Sequence, residues 1–152
     1  MQPATILVAD DDAVARELLA EALRKEGYHV EAFAGGEAVI ARGRQGRVDL
    51  VLTDIRMGAV DGLTVLREFK RVSPNTAVVV LTAFGSLEGA IEAIKQGAYD
   101  YLAKPFNPRE LVARVKAVLR RTERGAEPTR VIRFEDLSID LDRREFKIGD
   151  RL

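Results

Sequence analysis

The residues most able to do chemistry are acidic. Asp10, Asp11 and Asp12 are consecutive, and Asp54 closes the apolar run Leu50-Val-Leu-Thr53. A carboxylate at the carboxyl end of a buried strand lies where open α/β sheets bind ligands, above all where the strand order reverses. There Asp54 is suited to accept a phosphoryl group. Neighbouring carboxylates repel one another unless a cation joins them, and an all-oxygen donor set fits Mg2+, which keeps several waters and shares its sphere with phosphate. Helix capping explains one member of the triplet, Asp12, but does not require three. Thr82 and Lys104 end two later strand-like runs. A hydroxyl there can hydrogen-bond one phosphoryl oxygen and an ammonium can pair with another, so charge developing in the transition state meets groups already in place.

These residues need a scaffold that brings distant strand ends together. The segments Thr5–Ala9, 50–53 and 77–81 are short, apolar and rich in β-branched residues, as expected for strands covered by helices on both faces. Residues 28–33 alternate in character, and 99–103 are more polar, which suits edge strands. Helices are expected over Ala13–Lys25 with Asp12 as N-cap, over 37–46, over 63–72, over 87–96 closed by Gly97, and over 109–121 opened by Pro108. The inward faces are read as Leu18, Leu19, Ala22 and Leu23 in the first helix and Ala38, Val39 and Ala41 in the second. They continue with Leu63, Leu66, Phe69 and Lys70 in the third helix, and with Leu111, Val115, Val118 and Leu119 in the fifth. Strands alternating with helices predict a doubly wound, five-stranded parallel sheet of flavodoxin-like order 2-1-3-4-5 over residues 4–122. That order sets the first and third strands side by side and gathers Asp10, Asp11 and Asp54. His29, the single histidine, is assigned no role.

Composition narrows the rest. The 152 residues allow one domain with a substantial core plus a small addition. Basic and acidic residues number 24 each, so no global field draws the chain to nucleic acid or membrane. There is no cysteine, which excludes disulfides and thiolate metal sites and fits a cytoplasmic protein. No apolar run approaches the length of a membrane span.

Taken together, Ile-Leu-Val-Ala-Asp10-Asp11-Asp12, Asp54-Ile-Arg-Met-Gly-Ala-Val-Asp-Gly62, Leu-Thr82-Ala83 and Tyr101-Leu-Ala-Lys104-Pro105-Phe106 resemble the receiver domain of two-component response regulators. The resemblance covers about four-fifths of the chain. It implies that Asp54 takes phosphate from the phosphohistidine of a sensor histidine kinase. It also implies that Asp11, Asp54 and the backbone carbonyl of Arg56 ligate Mg2+, with Asp10 acting through water. Thr82 and Tyr101 become the switch pair. Such a domain assists its own phosphorylation and dephosphorylation without being an enzyme. Where the family usually has proline, this chain has Gly58, which puts loop rigidity and phosphoryl lifetime in question.

Residues 123–130 are polar and contain Gly and Pro, as a linker does. Beyond them Val131–Phe134, 137–141 and 144–148 alternate apolar and polar residues and predict short antiparallel strands. Residues 131–152 resemble the strand platform that opens the winged-helix effector domain of OmpR-type transcription factors. With no recognition helix or wing following, the expectation is a fragment of a longer regulator that does not bind DNA specifically by itself. In that family the fourth helix, fifth strand and fifth helix form a symmetric dimer through charge pairs. Asp100, Glu110 and Arg114 match members of those pairs, whereas residues 82–97 resemble NtrC-type receivers. The alternatives are a stand-alone receiver acting through protein contacts and an aspartyl-phosphate hydrolase. Against the hydrolase, Arg56 stands where such enzymes carry a second aspartate.

Overall fold

The computed structural model describes residues 3–82, 87–103, 107–123, 131–134, 137–140 and 145–148. Five strands, β1 (Thr5–Ala9), β2 (His29–Phe33), β3 (Leu50–Asp54), β4 (Ala77–Thr82) and β5 (Asp100–Ala103), alternate with five helices. The helices are α1 (Ala13–Lys25), α2 (Gly36–Gly43), α3 (Gly62–Val72), α4 (Leu87–Lys95) and α5 (Pro108–Glu123). All pairings are parallel and the order is β2-β1-β3-β4-β5, as the alternating pattern predicts. A second sheet, β6 (Val131–Phe134), β7 (Leu137–Asp140) and β8 (Glu145–Ile148), is antiparallel in chain order.

Because consecutive side chains of a strand face opposite ways, the sheet feeds two cores. Leu7, Val51, Val78 and Val80 pack with Val65, Leu66 and Phe69 of α3 and Ala90 and Ile94 of α4. Ile6, Val8, Leu50, Leu52, Val79 and Leu81 pack with Leu19 and Leu23 of α1 and with Leu111, Val115, Val118 and Leu119 of α5. Burial of this many aliphatic side chains is the main favourable term holding the two helix layers on the sheet.

Some details depart from the sequence pattern. Leu18 was expected inward but is 51% exposed, and the buried residues of α1 are Leu19, Ala20 and Leu23. In α3 the fully buried position is Val65 rather than Leu63. Helix α2 stops at Gly43 instead of continuing to 46, because Arg44 and Gln45 donate to carbonyls three residues back and tighten the last turn. Its buried face is Gly36 and Val39, while Ala38 and Ala41 are exposed. Gly43 leaves room for Phe69: an added Cβ would lie 2.5 Å from the ring's Cζ.

The two edges of the sheet are built differently. At the amino edge, polar groups close on one another. The Thr5 N–H donates to Asp49 Oδ2 at 2.8 Å, and the buried Thr76 hydroxyl donates to the Val48 carbonyl at 2.7 Å. The carboxyl edge collects the acidic residues.

Candidate functional site

Strand β3 is buried throughout and ends on Asp54, whose residue is only 9% exposed. Its register with β1 pairs Ala9 with Thr53, so the next residue of each strand, Asp10 and Asp54, emerges side by side. Asp10 is fully buried and Asp11 is exposed at the rim. One carboxylate oxygen from each of Asp10, Asp11 and Asp54 can be chosen so that all lie within 4.8 Å of one another. Oxygen atoms bound to one Mg2+ at about 2.0–2.1 Å are separated by roughly 3 to 4 Å, so small side-chain rotations would bring these three onto a single ion. The donor set fits a hard divalent cation, and the topology alone creates it from residues more than forty positions apart in sequence.

The loop after β1 is tightly determined. The Asp10 N–H donates to the Phe33 carbonyl at 3.2 Å. The Asp10 carboxylate accepts the Asp12 N–H at 3.0 Å. Asp12 in turn caps α1, its carboxylate accepting the Val14 and Ala15 N–H groups at 3.0 and 3.3 Å, as expected. The triplet therefore divides its labour: Asp12 starts the helix, and Asp10 and Asp11 face the site.

The loop after β3 is held as closely. The Ile55 N–H donates to the Leu81 carbonyl at 3.0 Å, and the Arg56 N–H donates to Asp54 Oδ1 at 3.2 Å. Met57 is buried and anchors the turn. Gly58 has φ +45°, a left-handed conformation closed to proline, so the chain follows a course here that the usual family residue could not take. Asp61 caps α3 through the Thr64 N–H at 2.8 Å, and the Gly62 N–H reaches back to the Ile55 carbonyl, also at 2.8 Å. Alongside, Asp11, Gly35, Gly36, Glu37, Met57 and Gly58 border an open cleft of about 390 Å3 that leads to the acidic cluster.

Of the remaining predicted residues, Thr82 is the last residue of β4, one position beyond the register partner of Asp54 and opposite Ala103. Lys104 lies outside the described residues. Tyr101 is buried on β5, paired with Val80. Asp100, Glu110 and Arg114 come together within the chain: Arg114 Nη1 lies 3.3 Å from both Asp100 oxygens, and Nη2 lies 3.5 Å from Glu110 Oε1. Arg114 also donates to the Tyr101 carbonyl at 3.3 Å. Two contributors lie outside the predicted site residues. Arg16 donates from Nη1 to the Asp10 carbonyl at 2.8 Å, and Gly62 permits a backbone approach to Asp54 that any side chain would obstruct. A glycine at the first position of a helix, where better helix formers are available, is the signal that could have revealed the second.

The strand order and the acidic pocket at the switch point define a flavodoxin-like α/β domain, and comparison with known proteins narrows this to one family. Residues 6–116 match the model of the response regulator receiver domain. The chain is 40% identical over 151 residues to the response regulator MprA of Mycolicibacterium vanbaalenii, covering 98% of this chain and 65% of that protein. It is likewise 40% identical over 143 residues to the transcriptional regulatory protein ResD of Bacillus subtilis, covering 90% of this chain and 59% of that one. A CheY-like receiver domain protein from Methanospirillum hungatei superposes with a TM-score of 0.77 at 29% identity, over 82% of this chain and 99% of that one. DrrB of Thermotoga maritima, an OmpR/PhoB homologue, superposes with a TM-score of 0.73 at 30% identity over 96% of this chain and 64% of that one. The chain belongs to the response regulator receiver family, and its relatives include a response regulator, MprA, and a transcriptional regulatory protein, ResD. It spans about three-fifths of the length of those relatives. Among the described residues, no helix is long and apolar enough to cross a membrane.

Proposed function

We propose that this chain is the phosphorylation switch of a cytoplasmic transcriptional regulator, and that Asp54 accepts a phosphoryl group from the phosphohistidine of a sensor histidine kinase. The observation that carries this reading is the convergence of Asp10, Asp11 and Asp54 at the carboxyl edge of the sheet, with Asp54 ending the central strand. An oxygen of Asp54 attacks phosphorus as the bond to the histidine nitrogen breaks, and the electron pair leaves with that nitrogen. Asp11, Asp54 and the Arg56 backbone carbonyl would hold Mg2+, with Asp10 acting through water. When bound, the ion supplies positive charge to the phosphoryl oxygens. Thr82 is assigned to one phosphoryl oxygen and Lys104 to another, and Tyr101 to the packing change that reports the event. Hydrolysis by an in-line water returns the Asp54 carboxylate and inorganic phosphate.

The antiparallel sheet of residues 131–148 and the extent of the likeness to DrrB support reading 131–152 as the opening strands of a winged-helix effector domain, joined by a linker over 123–130. DNA recognition then belongs to a complete effector domain rather than to these strands. The α4-β5-α5 face is the proposed homodimer surface. Because Arg114 is engaged inside the chain by Asp100 and Glu110, dimerisation through these residues would exchange internal partners for external ones.

Incubation with a small phosphodonor and Mg2+ is expected to add the mass of one phosphoryl group, and Asp54→Ala is expected to abolish the addition. An unchanged mass for the parent chain, or an addition that survives in the variant, would refute the assignment.

A further inference from the structure

Arg16 occupies the start of α1 and turns its guanidinium back over the helix entrance to the main-chain carbonyl of Asp10, six residues earlier in sequence. The contact is part-buried and 2.8 Å long. That carbonyl belongs to the peptide plane joining Asp10 to Asp11. Peptide planarity means that fixing its oxygen also fixes where the Asp11 N–H and Cα lie, and so the point from which the Asp11 side chain departs. Asp11 needs such help, because its exposed carboxylate has no hydrogen bond or ion pair among the described residues. Asp10 itself is held from two other sides, through its N–H on Phe33 and its carboxylate on the Asp12 N–H.

A cation beside a cluster of carboxylates has two opposite effects on a divalent ion. Its charge repels the ion, whereas its hydrogen bond aligns the ligands. We infer that alignment dominates and that Arg16 is a positioning residue, setting the Asp10–Asp11 peptide so that Asp11 reaches Mg2+ directly and Asp10 through water. Its guanidinium is committed to a carbonyl, which is a geometric duty, and groups that orient metal ligands typically change metal affinity about 10- to 100-fold when removed.

This inference rests on the proposed Mg2+ site, and titration calorimetry of MgCl2 into the full chain separates the two. Parent protein that takes up no Mg2+ overturns the site and with it the role of Arg16. If the parent binds, Arg16→Met, which keeps the stem packing and helix propensity but removes charge and donors, is expected to weaken Mg2+ about tenfold or more. Arg16→Lys, retaining charge and a donor, is expected to recover part of the affinity. Unchanged Mg2+ affinity in Arg16→Met, even with a lowered melting temperature in metal-free buffer, would reduce Arg16 to a structural bond and overturn the inference. Tighter binding in Arg16→Met would show that charge outweighs alignment and overturn it equally.

Discussion

Around Asp54, the proposed phosphoryl acceptor, the backbone comes very close to Gly62, and Gly62→Ala tests how tightly that loop is set. A Cβ added there would stand 2.2 Å from the Asp54 carbonyl oxygen and 2.9 Å from both the Asp54 carbonyl carbon and the Ile55 Cα. These are main-chain atoms, so no side-chain rotation relieves the overlap, and the two segments must part by about 1 Å to reach ordinary contact. Parting strains the Gly62–Ile55 hydrogen bond at 2.8 Å and, through Ile55, the bond to Leu81 at 3.0 Å. Overpacking of this kind costs roughly 1–3 kcal/mol, and loss of the hydrogen bond about 0.5–1.5 kcal/mol more. Alanine returns roughly 0.4–1 kcal/mol by restricting the unfolded chain. The expected net is a destabilisation of about 1–3 kcal/mol. With a urea slope of roughly 1–3 kcal/mol per molar, the unfolding midpoint moves down by on the order of 1 M. The same displacement moves Asp54, and a misplacement of about 1 Å at a reacting group can cost on the order of 100-fold in rate. Phosphorylation by a small donor at saturating Mg2+, followed by intact mass, should therefore slow by about ten- to a hundredfold. Gly46→Ala serves as the control, because its added Cβ meets nothing within 4 Å. That variant should match the parent or exceed its stability by up to about 1 kcal/mol. If Gly62→Ala matches Gly46→Ala in both midpoint and rate, the loop is not held as argued.

Two further perturbations separate local geometry from family habit and from surface electrostatics. Gly58→Pro installs the residue usual in the family, yet proline's φ of about −65° is roughly 110° from the +45° found here, so a loss exceeding about 1 kcal/mol is expected. A urea midpoint at or above the parent's would contradict it. The Arg42 guanidinium hydrogen-bonds both Glu31 oxygens at 3.0 Å and holds that carboxyl below its ordinary value of 4.5. A depressed carboxyl contributes stability that is present above its unfolded pKa and lost as pH falls through the folded one. Arg42→Gln should thus be less stable than the parent near neutrality, by roughly 0.2–1 kcal/mol for so solvent-screened a pair, with the gap closing below about pH 4.5. A gap independent of pH between 7 and 3 would argue against the ion pair.

Much of this was legible before any coordinates. Runs such as Leu50-Val-Leu-Thr53 can be buried only in a sheet covered on both faces, and alternation with amphipathic segments then leaves one plausible winding. That winding alone brings Asp10 and Asp11 to Asp54. What stayed hidden depends on distances across elements. Leu18 keeps helical spacing with the true core residues, and only the packing of α5 against α1 decides that it remains half-exposed beside a groove while Leu19 and Leu23 go inside. Asp100 and Arg114 are complementary in charge, but spacing cannot say whether the partner comes from the same chain or from another copy. Here adjacent elements of one chain suffice. Arg16 acts on a carbonyl, and a main-chain acceptor leaves no trace in side-chain pattern.

The register also suggests how the proposed switch reaches its output face. Asp54 pairs with Leu81, so added phosphoryl charge falls next to Thr82, and Thr82 pairs with Ala103 at the end of β5. Two residues back along β5 is Tyr101, whose N–H donates to Asp100 Oδ1 at 2.8 Å and whose carbonyl accepts from Arg114. The charged residues proposed for dimerisation are therefore bonded to the strand that flanks the switch. A shift of β4 or β5 at the site would change the geometry offered to Arg114 without needing a separate relay. Phosphorylation adds about 1.5–2 negative charges, and nearly complete reversal of a two-state population requires a bias of roughly 5.5 kcal/mol. Half-exposed ion pairs worth about 1 kcal/mol each cannot supply that bias. The buried parts of the proposed switch, the phosphoryl contacts and the packing of Tyr101, must provide most of it, leaving Asp100, Glu110 and Arg114 to select which partner the activated face accepts.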